Sequence, residues 1–128
     1  MPQRSHLSRL VIAAVFVLAA AGCGGGGETG DVDKIQVTLG QFDVTVTNAA
    51  GRALFAVRVE ITPAGPASHF TTTVARMENG EKAVLSHSRF TDRDAVPFSP
   101  RNVRTSGVVV TAKDIDGKEF RVELPWKK

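Results

Sequence analysis

The chain has one cysteine, one tryptophan and no tyrosine among its 128 residues. A lone thiol has no intrachain disulfide partner, so no internal staple holds the fold together. Aromatic residues are only 6% of the chain, too few for the stacking platforms on which bases or sugars bind. No G-x-S-x-G occurs, which removes the nucleophile-elbow signature of serine hydrolases. Long apolar runs are also missing. The longest, at residues 10–21, is shorter than the roughly 20 residues that carry a helix across a bilayer core. Beyond residue 34 no apolar spacing of helical period appears, so the body of the chain is expected to contain strands rather than helices.

What is present begins at residues 9–27, RLVIAAVFVLAAAGCGGGG. Arg4 and Arg9, with His6, form a positive flank; the apolar run follows, then Ala20, Ala21, Gly22 and Cys23. A positive, an apolar and a small-residue region in that order make a secretory signal. The competing readings are an ordinary signal cut at an A-x-A site, an uncleaved membrane helix, and a buried helix stopped by residues 24–27.

With Cys23 at its end, the segment resembles the bacterial lipoprotein signal, in which a Leu and two small residues usually precede the modified cysteine; here Ala20 holds the Leu position. The resemblance implies a signal peptide over 1–22, cleavage before Cys23, a diacylglyceryl thioether on its sulfur, and an acylated amine. Two chains anchor far more firmly than one. It also implies a place in the cell envelope, membrane-anchored and facing the extracytoplasmic side. Gly24 follows the cysteine, where an Asp would imply retention at the inner membrane.

Removal of that leader changes the charge. Two of the sixteen Lys and Arg and none of the thirteen acids precede Cys23, leaving fourteen against thirteen, a net +1. A near-neutral body does not carry the concentrated basic face that nucleic acid requires. Residues 23–34, CGGGGETGDVDK, are expected to be a flexible, solvated tether. Glu28, Asp31 and Asp33 lack the ligand set of a calcium loop.

From Ile35 the apolar residues alternate with period two, the strand signal. Ile35, Val37 and Leu39 lead; Gly40 shifts the phase; Phe42, Val44 and Val46 continue. Phe55, Val57, Val59 and Ile61 form the strongest stretch, ended by Pro63 and Pro66. Phe70, Thr72 and Val74 mark a more polar strand, followed by an Asn79-Gly80 turn and a short strand over 82–87. The last two strands, 107–114 and 118–124, flank Asp116-Gly117, a strong hairpin signal. The pattern predicts an all-β domain over 35–128: a single two-sheet antiparallel sandwich of about seven strands. The stretch NAAGRALFAVRVEI, with the turn and strand after it, resembles the immunoglobulin-like or fibronectin-like modules of bacterial surface lipoproteins. It lacks the cysteine pair and mid-domain tryptophan of antibody domains, and a fold of this kind implies architecture rather than activity.

Residues 88–104, SRFTDRDAVPFSPRNVR, are irregular and are expected to be an ordered loop pinned by Phe90 and Phe98. The loop gathers Arg89, Arg93, Arg101 and Arg104, a candidate site for anionic head groups or an acidic partner. The plainer expectation is a solvated loop whose arginines pair with Asp92 and Asp94. His69, Met77 and His87 are a candidate copper-type ligand set, provided their strands pair as a hairpin. Ser86-His87-Ser88 places hydroxyls beside an imidazole, but neighbours along a strand point to opposite faces. Asp114 and Asp116 read as turn residues. The expectation is a non-catalytic binding or structural module, with no cofactor, anchored by its lipid and meeting an envelope protein. The alternative is a metal-handling lipoprotein.

Overall fold

The computed structural model describes residues 28–126. The expected signal segment 1–22, Cys23, residues 24–27 and the terminal Lys127 and Lys128 lie outside the described residues. Eight strands occur: β1 (Thr29–Gly30), β2 (Ile35–Leu39), β3 (Asp43–Asn48), β4 (Leu54–Pro63), β5 (Phe70–Met77), β6 (Lys82–Ser86), β7 (Thr105–Lys113) and β8 (Glu119–Pro125). They form two antiparallel sheets, ordered β1-β8-β7-β4-β5 and β2-β3-β6. Counted from β2, the first, second and fifth long strands share one sheet and the third, fourth, sixth and seventh share the other. This is a Greek-key, immunoglobulin-like sandwich in which the fourth strand joins the sheet of the third, sixth and seventh.

The alternation read in the sequence is the alternation that builds the core. Val44 and Val46 of β3 and Leu85 of β6 face Val57, Val59 and Ile61 of β4, Val108 and Val110 of β7, and Phe120, Val122 and Leu124 of β8. The Asp116-Gly117 turn joins β7 to β8 as expected, with Gly117 at φ +82°. Asp114 organises it: its Oδ1 accepts the Asp116 and Lys118 amides at 2.9 Å each, and its Oδ2 lies 3.2 Å from Arg52 Nη1.

Four expectations are corrected. First, the tether does not extend to Lys34. Thr29 and Gly30 pair with Glu123 and Val122 as an eighth strand. Asp31 continues the docking: its amide donates to Arg121 O at 2.8 Å and its Oδ2 accepts the Arg121 amide at 2.9 Å. Gly30 is at φ +95°, and a Cβ there would stand 2.1 Å from Arg121 O, so only glycine admits this approach. Second, Asn79-Gly80 is a turn, but the β5–β6 hairpin that the His69, Met77 and His87 ligand set required does not form. β5 pairs with β4 and β6 pairs with β3, so the turn crosses between sheets. Third, Leu54 rather than Phe55 is buried, because the β4–β7 register slips between Phe55 and Arg58. Ala56, at φ +50°, takes up the extra residue as a bulge. Fourth, Gly40 marks a tight β2–β3 hairpin turn, its amide donating to Asp43 O at 2.8 Å. Phe42 therefore leaves the strand and is 71% exposed.

Candidate functional site: the arginine-bearing pole

One end of the sandwich collects the ends of both sheets. β4 finishes where β7 begins, with Pro63 opposite Thr105, and β8 finishes beside them, with Pro125 opposite Gly107. From the other sheet, β6 ends opposite the start of β3. A 3-10 turn, His87–Arg89, follows β6 and opens the long loop to β7. The His87 amide donates to Phe42 O at 2.9 Å, which sets the β2–β3 turn at the same pole.

An aromatic cluster holds the loop down. Phe90 and Phe98 are buried, as the sequence led us to expect. Phe98 meets Phe70 and His87 edge-on, each at 5.3 Å between ring centroids, and Trp126 at 5.8 Å. His87 itself lies 5.8 Å from the Trp126 ring. Trp126 therefore seals the loop from the far end of the chain, a role that its position in the sequence does not reveal. Beyond Phe90, Thr91 exchanges two backbone hydrogen bonds with Thr71 at 2.9 and 3.1 Å. This covers the start of the β5 edge, which would otherwise be open to strand addition. Because Thr91 runs antiparallel to Thr71, the residues after it leave the sheet and project past His69 as a tip.

Arg89, Arg93, Arg101 and Arg104 are all exposed at this pole. The plainer expectation, pairing with Asp92 and Asp94, is not what forms. Among the described residues none of the four arginines enters an ion pair; the arginines that do are Arg52, Arg58, Arg76 and Arg121. Asp92 instead turns onto its own loop, its Oδ1 accepting the Asp94 and Val96 amides at 2.8 and 3.0 Å. Val96 at the tip is 51% exposed. A shallow groove of about 350 Å³ runs beside the cluster, lined by Pro100, Val103, Arg104, Thr105 and Trp126. The pole thus presents basic side chains around exposed apolar ones.

The proposed ligand set is not brought together. Met77 is fully buried at the opposite end of β5 from Phe70. It stands about 26 Å from His69 along an extended strand. His69 is half-exposed, with Nδ1 3.1 Å from Glu60 Oε2, and His87 faces the aromatic rings. The hairpin that would have joined these residues is not formed. Among the described residues no group of three His, Cys, Asp or Glu is placed to hold a metal ion.

No protein family, curated protein or solved structure matches this chain. The functional reading therefore rests on the residues and their placement.

His87 gives the pole a measurable signature. Its Nε2 is buried without a hydrogen-bond partner. Burial holds the imidazole below its ordinary value of 6.5, with the Asp43 carboxylate a smaller opposing influence. The unfolded chain therefore takes up this proton at a higher pH than the folded chain does. Stability is fully present above the ordinary value and is lost as pH falls through it toward the lowered one. Thermal melts between about pH 7 and pH 5 are expected to show this fall, and His87→Phe is expected to flatten it. An unchanged slope in the variant would assign the effect to other groups.

Proposed function

We propose that the protein is an extracytoplasmic lipoprotein of the cell envelope. In this reading lipid on Cys23 fixes it to a membrane, and the sandwich acts as a non-catalytic binding or structural module. The observation that carries the reading is the order of residues 4–27: basic flank, short apolar run, small residues, one cysteine, then glycines. It is supported by where the folded body starts. Thr29 is already paired, so four glycines and Glu28 separate the cysteine from the first strand, which fits a body hung from its first mature residue. The basic pole is the surface we assign to binding, because among the described residues its four arginines enter no ion pair.

The test is membrane attachment of the full chain expressed in a bacterial envelope. Wild type is expected to enter the detergent phase on phase separation and Cys23→Ser to remain in the aqueous phase. Both are expected to give the same circular dichroism, since the strands of the sandwich run from Thr29 to Pro125. Equal partition of the two proteins would defeat the reading.

A further inference from the structure

The direction of β1 fixes the end of the sandwich at which the chain leaves it on the N-terminal side. β1 is antiparallel to β8, with Thr29 opposite Glu123 and Gly30 opposite Val122. Traced backward, the chain therefore leaves Thr29 toward Pro125, the pole that carries the long loop. Thr29 sits level with a residue two short of the end of β8, about 7 Å from the pole. Five residues, 24–28, separate Cys23 from Thr29, and the six steps between those two residues, fully extended, span no more than roughly 22 Å. Had the tether run free to Lys34, its reach would be about twice that.

At this pole Arg89, Arg93, Arg101 and Arg104 are exposed and free of ion pairs among the described residues. Phe42 and Val96 are exposed beside them, and Trp126 is half-buried. The acids toward the same end include Glu28, Asp43, Glu60, Asp92 and Asp94; Glu60 Oε2 lies 3.1 Å from His69 Nδ1, and Asp92 is engaged by the amides of its own loop. Arginines around protruding apolar side chains, with an interfacial tryptophan, match the chemistry of a lipid–water boundary.

We propose that this pole is a membrane-docking face: the strap 29–34 turns it toward the bilayer, and the four arginines contact the phosphates of anionic lipids. The proposal rests on the anchoring reading. It adds that the domain lies against the membrane in one orientation rather than swinging from a long leash.

Trp126 is the only tryptophan in the chain, so its fluorescence reports on this pole without a label. The lipidated full chain would be reconstituted into vesicles of phosphatidylcholine alone, or with about one-third phosphatidylglycerol, using lipids brominated on the acyl chain. Attachment to the neutral vesicles tests the anchor alone; failure there removes the anchor, not the orientation. Quenching of Trp126 on the anionic vesicles, severalfold above that on neutral ones and reversed by salt, is expected. The quadruple variant Arg89→Gln, Arg93→Gln, Arg101→Gln and Arg104→Gln alters only exposed side chains. It is expected to stay anchored and lose that excess quenching. Gly30→Val, which cannot dock the strap, is expected to reduce it as well. Equal quenching on both lipids in anchored wild type, or an unchanged signal in the quadruple variant, would overturn the proposal. Capture of the pole by an acidic envelope protein without any quenching would overturn it too.

Discussion

Val59→Asp is expected to abolish the fold. Val59 is completely buried on β4, between β5 and β7, opposite Thr72 on one side and Val110 on the other. β4 is paired on both sides within the larger sheet, and its inward face meets the smaller sheet across the core. A carboxylate placed there is surrounded by apolar side chains and, among the described residues, finds no buried Lys or Arg. It must either ionise without solvent or take up a proton and still lack hydrogen-bond partners, at a cost of several kcal/mol. A domain of this size is stable by roughly 5–15 kcal/mol in total. The expected result is loss of the sheet circular dichroism and of any cooperative melt at neutral pH. Val59→Ala, which leaves only a cavity, is expected to keep a cooperative transition at a lower temperature. A Val59→Asp protein that melts like wild type would mean that the other face of β4 is the buried one.

Asn48→Ala is expected to cost about 2–4 kcal/mol, more than a truncation at an ordinary turn. Asn48 ends β3 and is completely buried. Its Nδ2 donates to Met77 O at 3.0 Å and to Arg52 O at 2.8 Å, and its Oδ1 accepts the Ala50 amide at 3.0 Å. The Met77 bond ties the smaller sheet to the end of β5 in the larger one, beside the Asn79-Gly80 crossover. The Gly80 amide donates to Asn48 O at 2.8 Å at the same point. Alanine removes three hydrogen bonds, of which the one to Met77 O is buried and those involving Arg52 O and the Ala50 amide are part-buried. Asn48→Asp sharpens the test. It is nearly the same shape, but a carboxylate cannot donate, so it sets negative charge against two carbonyl oxygens. It is expected to destabilise at least as much as alanine does. Urea unfolding with an unchanged slope would measure both; an aspartate variant as stable as wild type would mean that the amide bonds to Met77 and Arg52 contribute nothing.

The strands were legible because one face of each is buried, and burial on one face writes itself as alternation. Val108 and Val110, or Phe120, Val122 and Leu124, needed no other information. The sheet to which each strand belongs was not legible. Asn-Gly between two alternating runs reads as a hairpin, yet here Asn48 and the end of β3 capture the turn and send β6 to the other sheet. Phase changes hide for a similar reason: Ala56 in the left-handed region moves Leu54 inward and Phe55 outward, and nothing in an alanine announces it. β1 was invisible, since Thr-Gly has no pattern and its docking depends on the Arg121 backbone edge. At the pole, the arginines and the two buried phenylalanines of the loop stood out in composition. The convergence of that loop with Trp126, and with the point where the chain enters the domain, is a product of topology. It could be seen only once β1 was paired.

The claim on which all of this depends is that the first mature residue carries the lipid, a few residues before a folded body. The most direct measurement is the mass of the N-terminal peptide of the protein taken from a bacterial envelope. The account predicts a peptide that begins at Cys23 and bears a diacylglyceryl group on sulfur and an acyl chain on its amine. A free thiol at Cys23, in a chain cleaved elsewhere or still joined to residues 1–22, would contradict it.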